Sequence, residues 1–203
     1  MSSPMFPLGT VIFPYTAVPL RVFEPRYQSL VDRILETDQS FGVVLIERGQ
    51  EVGGGDIRVS VGTMVRVVAV NVIPGTDDRN IIVAGLRRIR VTQWLPDNPY
   101  PIAEVDDLPD AASEGEFDVT AAVAALRRVL ALASELGSDV SGIGLDLVDD
   151  PVAASYQLAA LCPVTAFDSQ KMLEARGPVE RVDLARILLE ERVELLRAQL
   201  SSS

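Results

Sequence analysis

The chain has no histidine, one cysteine (Cys162) and one lysine (Lys171) in 203 residues. Without histidine there is no His-dependent triad and no His-ligated zinc. A lone cysteine excludes an intrachain disulfide and a thiolate cluster. A serine nucleophile would have to use Lys171 as its base, and no serine is marked as its partner. The sequence contains no P-loop, GxGxxG, GxSxG or HExxH motif; Gly53-Gly54-Gly55 is a flexible loop with no GK[ST] after it. Long apolar runs are also missing. Met1 to Leu20 is uncharged, but Pro4, Pro7, Pro14 and Pro19 break it and no basic residue precedes it, so it is neither leader nor span. The uncharged run Pro151–Phe167 is interrupted by Pro163 and is shorter than the roughly 20 residues of a spanning helix. The expectation is a soluble, cytoplasmic protein with no membrane contact, no metal, no cofactor and no catalytic residue.

What is present is acid, unevenly placed. The net charge is −11. Residues 1–105 carry a net −1, and residues 106–203 a net −10. An acidic half opposes affinity for nucleic acid. The pairs Asp77-Asp78, Asp106-Asp107 and Asp149-Asp150 read as a turn, a linker and a helix cap rather than as general acids and bases. Cys162, next to Pro163, reads as a small buried residue. Arg87, Arg88 and Arg90 lie in a strand pattern and read as a solvated face.

Periodicity divides the chain. Val59–Ile73 is rich in β-branched residues, with Met64, Arg66, Val68, Val70 and Val72 on one parity. Pro74–Asp78 is a turn signal, Asn80–Ala84 a returning strand, Gly85 a candidate bulge, and Arg87–Trp94 resumes alternation. Phe41–Ile46 reads as a buried strand. Between them Glu24-Pro25 opens a helix whose Tyr27, Leu30, Val31, Ile34 and Leu35 form one stripe. Residues 106–117 read as an acidic linker. Helices follow from Asp118 to about Leu136, from Pro151 to Leu161, from Thr165 towards Gly177, and from Pro178 onward. In the last, Val182, Ala185, Leu189, Val193, Leu196 and Leu200 line one face; Leu184, Ile187, Leu188 and Leu195 widen it, which predicts burial on more than one side. The predicted divisions are a β-rich part over 1–105, the linker 106–117 and a helical part over 118–203.

One segment is specific. Phe6-Pro-Leu-Gly-Thr-Val-Ile-Phe-Pro14, followed by Val18-Pro-Leu-Arg-Val-Phe-Glu-Pro-Arg-Tyr27, resembles the opening of the Lon protease N-terminal (substrate-binding) domain. Phe41-Gly-Val-Val-Leu, Gly62-Thr63 before Val65–Val70, Val83–Val91, Leu158–Pro163, Gln170–Glu174 and Glu180–Leu196 continue the likeness. Gly177-Pro178 departs from it, where many relatives carry an Asp-containing turn. The resemblance implies an α+β fold: an N-terminal PUA-like pseudo-β-barrel of about six strands with one helix, then a C-terminal helical bundle. It also implies an ATPase module and a Ser-Lys protease domain that these residues do not contain, so proteolysis is not carried over. The expected function is that of a stand-alone, non-catalytic module that binds unfolded or misfolded protein segments or a protein partner, with a separate ATPase or protease as a candidate partner. Apolar residues in turn-prone places are the candidate contacts: Phe13, Pro14 and Tyr15, Ile73 and Pro74, and Trp94. The signature residues Arg21, Phe23, Glu24, Pro25, Arg26 and Tyr27 read as structural, their charges pairing with one another or capping the helix. The alternatives are RNA binding, which other PUA-like barrels perform, and a small-molecule or enzymatic role between barrel and bundle.

Overall fold

The computed structural model describes residues 2–48, 57–112, 115–140 and 144–202; the Gly53–Gly55 loop lies outside them. The chain divides into two compact units, Met1–Pro109 and Asp110–Ser203.

The first unit holds β1 (Ser2–Leu8), β2 (Ala17–Val22), α1 (Pro25–Leu35), β3 (Ser40–Arg48), β4 (Ile57–Val72), β5 (Arg79–Leu95) and β6 (Ile102–Asp107). They form a six-stranded sheet in the order β2-β5-β4-β3-β1-β6, and β6 pairs also with β5. All pairings are antiparallel except β1 with β3. The long β5 changes partner along its length. Arg79–Ala84 pairs with β2, and Ile89–Leu95 pairs with β6. The sheet therefore closes on itself at the β6 end, while β2 stays at an edge. Glycine permits a close approach between β3 and β4: a Cβ on Gly62 would lie 2.1 Å from the carbonyl oxygen of Val43.

Two cores fill this unit. One packs Tyr27, Leu30, Val31 and Ile34 of α1 against Phe6, Phe41, Val65, Val67, Ile81 and Val83. Its rings Phe6 and Tyr27 stack with centroids 3.9 Å apart. The other joins Met5, Val44, Met64, Ile89, Val91 and Val105. The helix begins where expected, with Glu24 as N-cap and Pro25 in the first turn. Leu35, assigned to the same stripe, is exposed at the end of the last turn.

The first two residues of the segment expected as a linker, 106–117, are in a strand instead. Asp106 and Asp107 belong to β6, and the Leu108 N–H donates to the Arg88 carbonyl at 3.1 Å. This short strand escaped the pattern because its acids Glu104, Asp106 and Asp107 outweigh two inward residues, Ala103 and Val105. The strand parity assigned to β4 also fails. Bulges fall between Met64 and Val65 and between Val67 and Ala69, so the set divides: Arg66 and Val68 face solvent, whereas Met64 is buried and Val70 packs on the first core.

The second unit holds α2 (Thr120–Glu135), α3 (Pro151–Leu161), α4 (Ala166–Glu174) and α5 (Pro178–Ser201). α5 packs against the other three. Asp150 caps α3 by accepting from the Ala153 N–H at 2.8 Å, and Thr165 caps α4 by accepting from the Asp168 N–H at 3.2 Å. α2 starts two residues after Asp118 and buries Ala122, Ala125, Leu126 and Val129, where the spacing predicts a face of Val119, Val123, Leu126, Leu130 and Ala133. α5 buries Val182, Ala185, Leu189, Val193 and Leu196 as expected, but Leu200 only in part; of the widening residues, Leu184 and Leu188 are half-buried and Ile187 and Leu195 are exposed, so the predicted burial on more than one side is incomplete among the described residues. It also buries a charge, Arg181. The guanidinium donates to Asp110 Oδ1 at 2.5 Å, to Ser155 Oγ at 2.6 Å and to the Met172 carbonyl at 3.1 Å, and lies 3.5 Å from the Tyr156 ring centroid. Tyr156 donates to the same carboxylate at 2.9 Å. A charge removed from water in this way is tolerable only when its donors are met.

Candidate functional site

The edge of the sheet is where apolar side chains reach solvent together. β2 runs antiparallel to β5, with Ala17 opposite Ala84, Pro19 opposite Ile82 and Arg21 opposite Asn80. On the far side of β5, Ala69 lies opposite Ile82 and Asn71 opposite Asn80. Residues directly opposite share a face. Val18, Leu20, Val70, Ile81 and Val83 belong to the core cluster, so Ala17, Pro19, Ala69, Ile82 and Ala84 form the outer face. The bulged residue Val68 joins them: it is 58% exposed, and Ile82 is 38% exposed. Arg66, Asn71, Asn80 and Arg21, all exposed, ring this surface. A contiguous apolar face inside a polar rim is the form that interaction sites take on a protein surface.

The polypeptide reaches β2 through a strained turn. Tyr15 has φ of 60°, a left-handed conformation unusual for a large side chain. The Tyr15 N–H donates to the Gly85 carbonyl at 2.9 Å, and the Gly85 N–H donates to the Thr16 carbonyl at 2.9 Å. The Thr16 hydroxyl closes on the Phe13 carbonyl at 2.6 Å. Gly85 is required there, since a Cβ would lie 2.1 Å from the Phe13 carbonyl oxygen. The result leaves the Tyr15 ring 52% exposed at the start of β2.

The predicted contacts separate in space. Phe13 and Pro14 are buried, Phe13 to 3%, because the preceding loop is pulled inward by Thr63, whose hydroxyl donates to the Ile12 carbonyl at 2.6 Å. They offer no surface to a partner in this conformation. Tyr15 is presented at one end of β2. Ile73, half-buried, and Pro74, exposed, sit at the β4–β5 turn, where the Ile73 N–H donates to the Asp78 carbonyl at 3.0 Å. Trp94 is near the other end of β5, packed on the second core with the Arg58 guanidinium 4.4 Å from its ring centroid. Nothing brings it to Tyr15 or to the turn.

Most of the signature residues make contacts within their own unit. Arg26 donates to Glu24 at 3.0 Å and lies over the Tyr27 ring at 4.5 Å. Arg21 does not join them: it pairs with Asp78 at 2.7 Å, fastening β2 to the hairpin turn. Pro25 is the first residue of α1, and Tyr27 is in the core. Phe23, by contrast, is 50% exposed. It lines a slot of about 40 Å³ with Phe6, Leu8, Leu20, Arg21, Glu24 and Tyr27.

Pro19, Val68, Ala69 and Ile82 were not among the predicted contacts. One signal for them was available, since a proline inside a strand belongs at a sheet edge. The Val68 bulge had none.

Other chemistry finds little support here. The arginine face does not exist as a unit: Arg88 is buried and donates to the Pro109 carbonyl at 3.2 Å, and Arg87 pairs with Asp107 at 2.7 Å. Burial pushes the Cys162 thiol up to about 12, the wrong direction for a nucleophile. Among the described residues no three His, Cys, Asp or Glu side chains are placed to hold a metal ion. No described helix is long and apolar enough to cross a membrane.

Residues 2–191 match the family model described as the ATP-dependent protease La (LON) substrate-binding domain. The chain is 31% identical to Lon protease 2 of Sorangium cellulosum, covering 98% of this chain and 26% of that protein. It is 29% identical to Lon protease 2 of Myxococcus xanthus, covering 96% and 24%. It thus spans about a quarter of the length of these curated relatives. The crystal structure of a Lon N-terminal domain protein from Xanthomonas campestris superposes with a TM-score of 0.67 at 29% identity, over 90% of this chain and 95% of that one. The N-terminal domain of Mycobacterium avium complex Lon protease shares the fold, with a TM-score of 0.66 at 18% identity, over 94% and 98%.

Proposed function

The chain belongs to the ATP-dependent protease La (LON) substrate-binding domain family, and from that membership we propose that it binds unfolded or misfolded segments of other proteins without catalysing a reaction. The observation that carries the reading is the outer face of β2, β5 and β4, where Pro19, Ile82, Ala69 and Val68 meet solvent inside a ring of Arg66, Asn71, Asn80 and Arg21. A folded protein hides its apolar side chains, so such a face selects for chains that have lost or not reached their fold. A few anchors on an open surface give modest affinity, on the order of micromolar, about 8 kcal/mol.

We read the first unit as a PUA-like pseudo-barrel and the second as a helical bundle. Closure of the sheet through β6 supports the first reading and the packing of three helices on α5 supports the second. A cytoplasmic site of action accords with this reading, as does delivery of the bound segment to an ATPase and protease. Proteolysis belongs to the whole relatives, and none of it is assigned to these residues. The RNA alternative loses its support with the buried Arg88 and paired Arg87.

The test is fluorescence anisotropy. A labelled, permanently unfolded protein is titrated with this chain, beside the folded form of the same protein and an unstructured RNA. Saturable binding of the unfolded form alone is expected. Equal binding of the folded form, or tighter binding of the RNA with a steep salt dependence, would overturn the reading.

A further inference from the structure

Resting on that reading, we infer that the bound segment is taken as an extended strand added to the free edge of β2, with one branched aliphatic side chain entering the slot beside Leu20. The hydrogen bonding of β5 sets which β2 groups are available. Both the N–H and the carbonyl of Gly85 are used by the chain entering β2. Bonding in an antiparallel pair alternates, so Val83, Ile81 and Arg79 also turn their backbone groups to β2 and engage Val18, Leu20 and Val22, their register partners. The backbone groups of Ala17, Pro19 and Arg21 then point away from β5. No other strand pairs with β2 among the described residues, and all three residues are exposed.

Pro19 fits this arrangement. It brings no N–H, and a proline within a strand is tolerated where its nitrogen faces an open edge. The edge therefore presents the carbonyls of Ala17, Pro19 and Arg21 and the N–H groups of Ala17 and Arg21. That row is complementary to one extended backbone and to little else. The missing central donor also weakens pairing between two copies of this edge, the usual hazard of an open strand.

Side chains add selectivity. Alternate residues of an added strand fall on opposite faces of the sheet. One set lies beside Ala17 and Pro19 on the outer apolar face. The other set lies beside Leu20, which lines the slot together with Phe6 and Leu8 of β1 and with Phe23 and Tyr27. Its volume of about 40 Å³ suits the tip of a valine, leucine or isoleucine and not an aromatic ring. The exposed Phe23, Arg21 in its pair with Asp78, and Glu24 in its pair with Arg26 complete the lining. The preferred segment is extended, with aliphatic residues at every second position.

The experiment uses the full chain and a labelled ten-residue peptide of alternating valine and threonine with a lysine at each end. Two further versions carry N-methyl groups on all the valines or on all the threonines. Strand addition predicts micromolar binding of the parent, a loss of at least tenfold for one methylated version, and a change under threefold for the other. Phe23→Ser is expected to weaken the parent about fivefold with an unchanged melting temperature. If both methylated versions bind like the parent, the backbone is not read and the inference falls, while binding to the apolar face stands. The inference falls in the same way if the unfolded protein binds and the parent peptide does not. If neither binds, the proposed function falls with it.

Discussion

At Gly85 an added Cβ would lie 2.1 Å from the Phe13 carbonyl oxygen, 2.9 Å from its carbon and 3.1 Å from the Pro14 Cα, all backbone atoms that cannot swing aside. Gly85→Ala is therefore expected to cost about 3 kcal/mol or more in a denaturant melt, and to undo the Tyr15 turn with it. Gly75, at φ 81° in the hairpin turn, has nothing within 4 Å of an added Cβ, so Gly75→Ala should cost only about 1 kcal/mol. Equal costs would show that the Gly85 approach does not constrain the entry to β2. The same scale explains what the sequence concealed. A bulge at Gly85 is legible, because glycine in a strand is a known marker. The companion bulge at Val68 has no marker, and it is what puts Ala69 beside Val68 on the outer face and turns Val70 inward. Phe13 looked like a surface residue because it sits in a turn, but a long-range bond from Thr63 to the loop decides its burial, and no local pattern encodes that.

Among the elements, α1 is the one whose stripe predicts its packing most closely. Tyr27, Leu30, Val31 and Ile34 are all buried in the core beneath it. Leu30→Ala and Tyr27→Ala should each destabilise by roughly 2–5 kcal/mol, read as a shift of the denaturation midpoint. A shift near zero would contradict the packing described. Helix caps at Asp150 and Thr165 and the proline starts at Pro25, Pro151 and Pro178 were equally readable, since each acts through neighbours in sequence. The faces of α2 and α5 were less so. Alanine carries little hydrophobic signal, yet Ala122 and Ala125 are the residues that α2 buries. On α5 leucine and isoleucine occur all round, and only the positions of α2, α3 and α4 determine that Ile187 and Leu195 stay exposed. Gly177 shows the same dependence: its Cβ would lie 3.0 Å from the Ala111 carbonyl oxygen, a distant segment that fixes the helix entry.

Across the whole molecule the excess of acid sets the pH response. Lys171 and Thr165 hold the Asp168 carboxyl below its usual range, and the Arg176 N–H and guanidinium do the same for Glu180. A carboxyl depressed in the folded state contributes stability above its unfolded pKa of about 4, and that contribution disappears as pH falls through the folded value. The melting temperature should therefore fall below pH 4. Asp168→Asn with Glu180→Gln should lower it by about 1–3 °C at pH 7 and by less at pH 3, since both groups are partly exposed. An equal loss at both pH values would contradict the assignment. The sequence made the fold legible through a family signature spread over the chain. The site was legible only in part, because Tyr15 and the Ile73–Pro74 turn were visible as apolar residues in turns, whereas Pro19, Ile82 and Val68 converge only through strand register. The central claim is that this converged face binds unfolded protein. The most direct measurement is the affinity of a labelled unfolded protein for the double variant Val68→Glu and Ile82→Glu, alongside the parent chain and Trp94→Ala. The account predicts at least a tenfold loss for the double variant, with an unchanged melting temperature and less than a threefold change for Trp94→Ala. Parent-like binding by the double variant would contradict it.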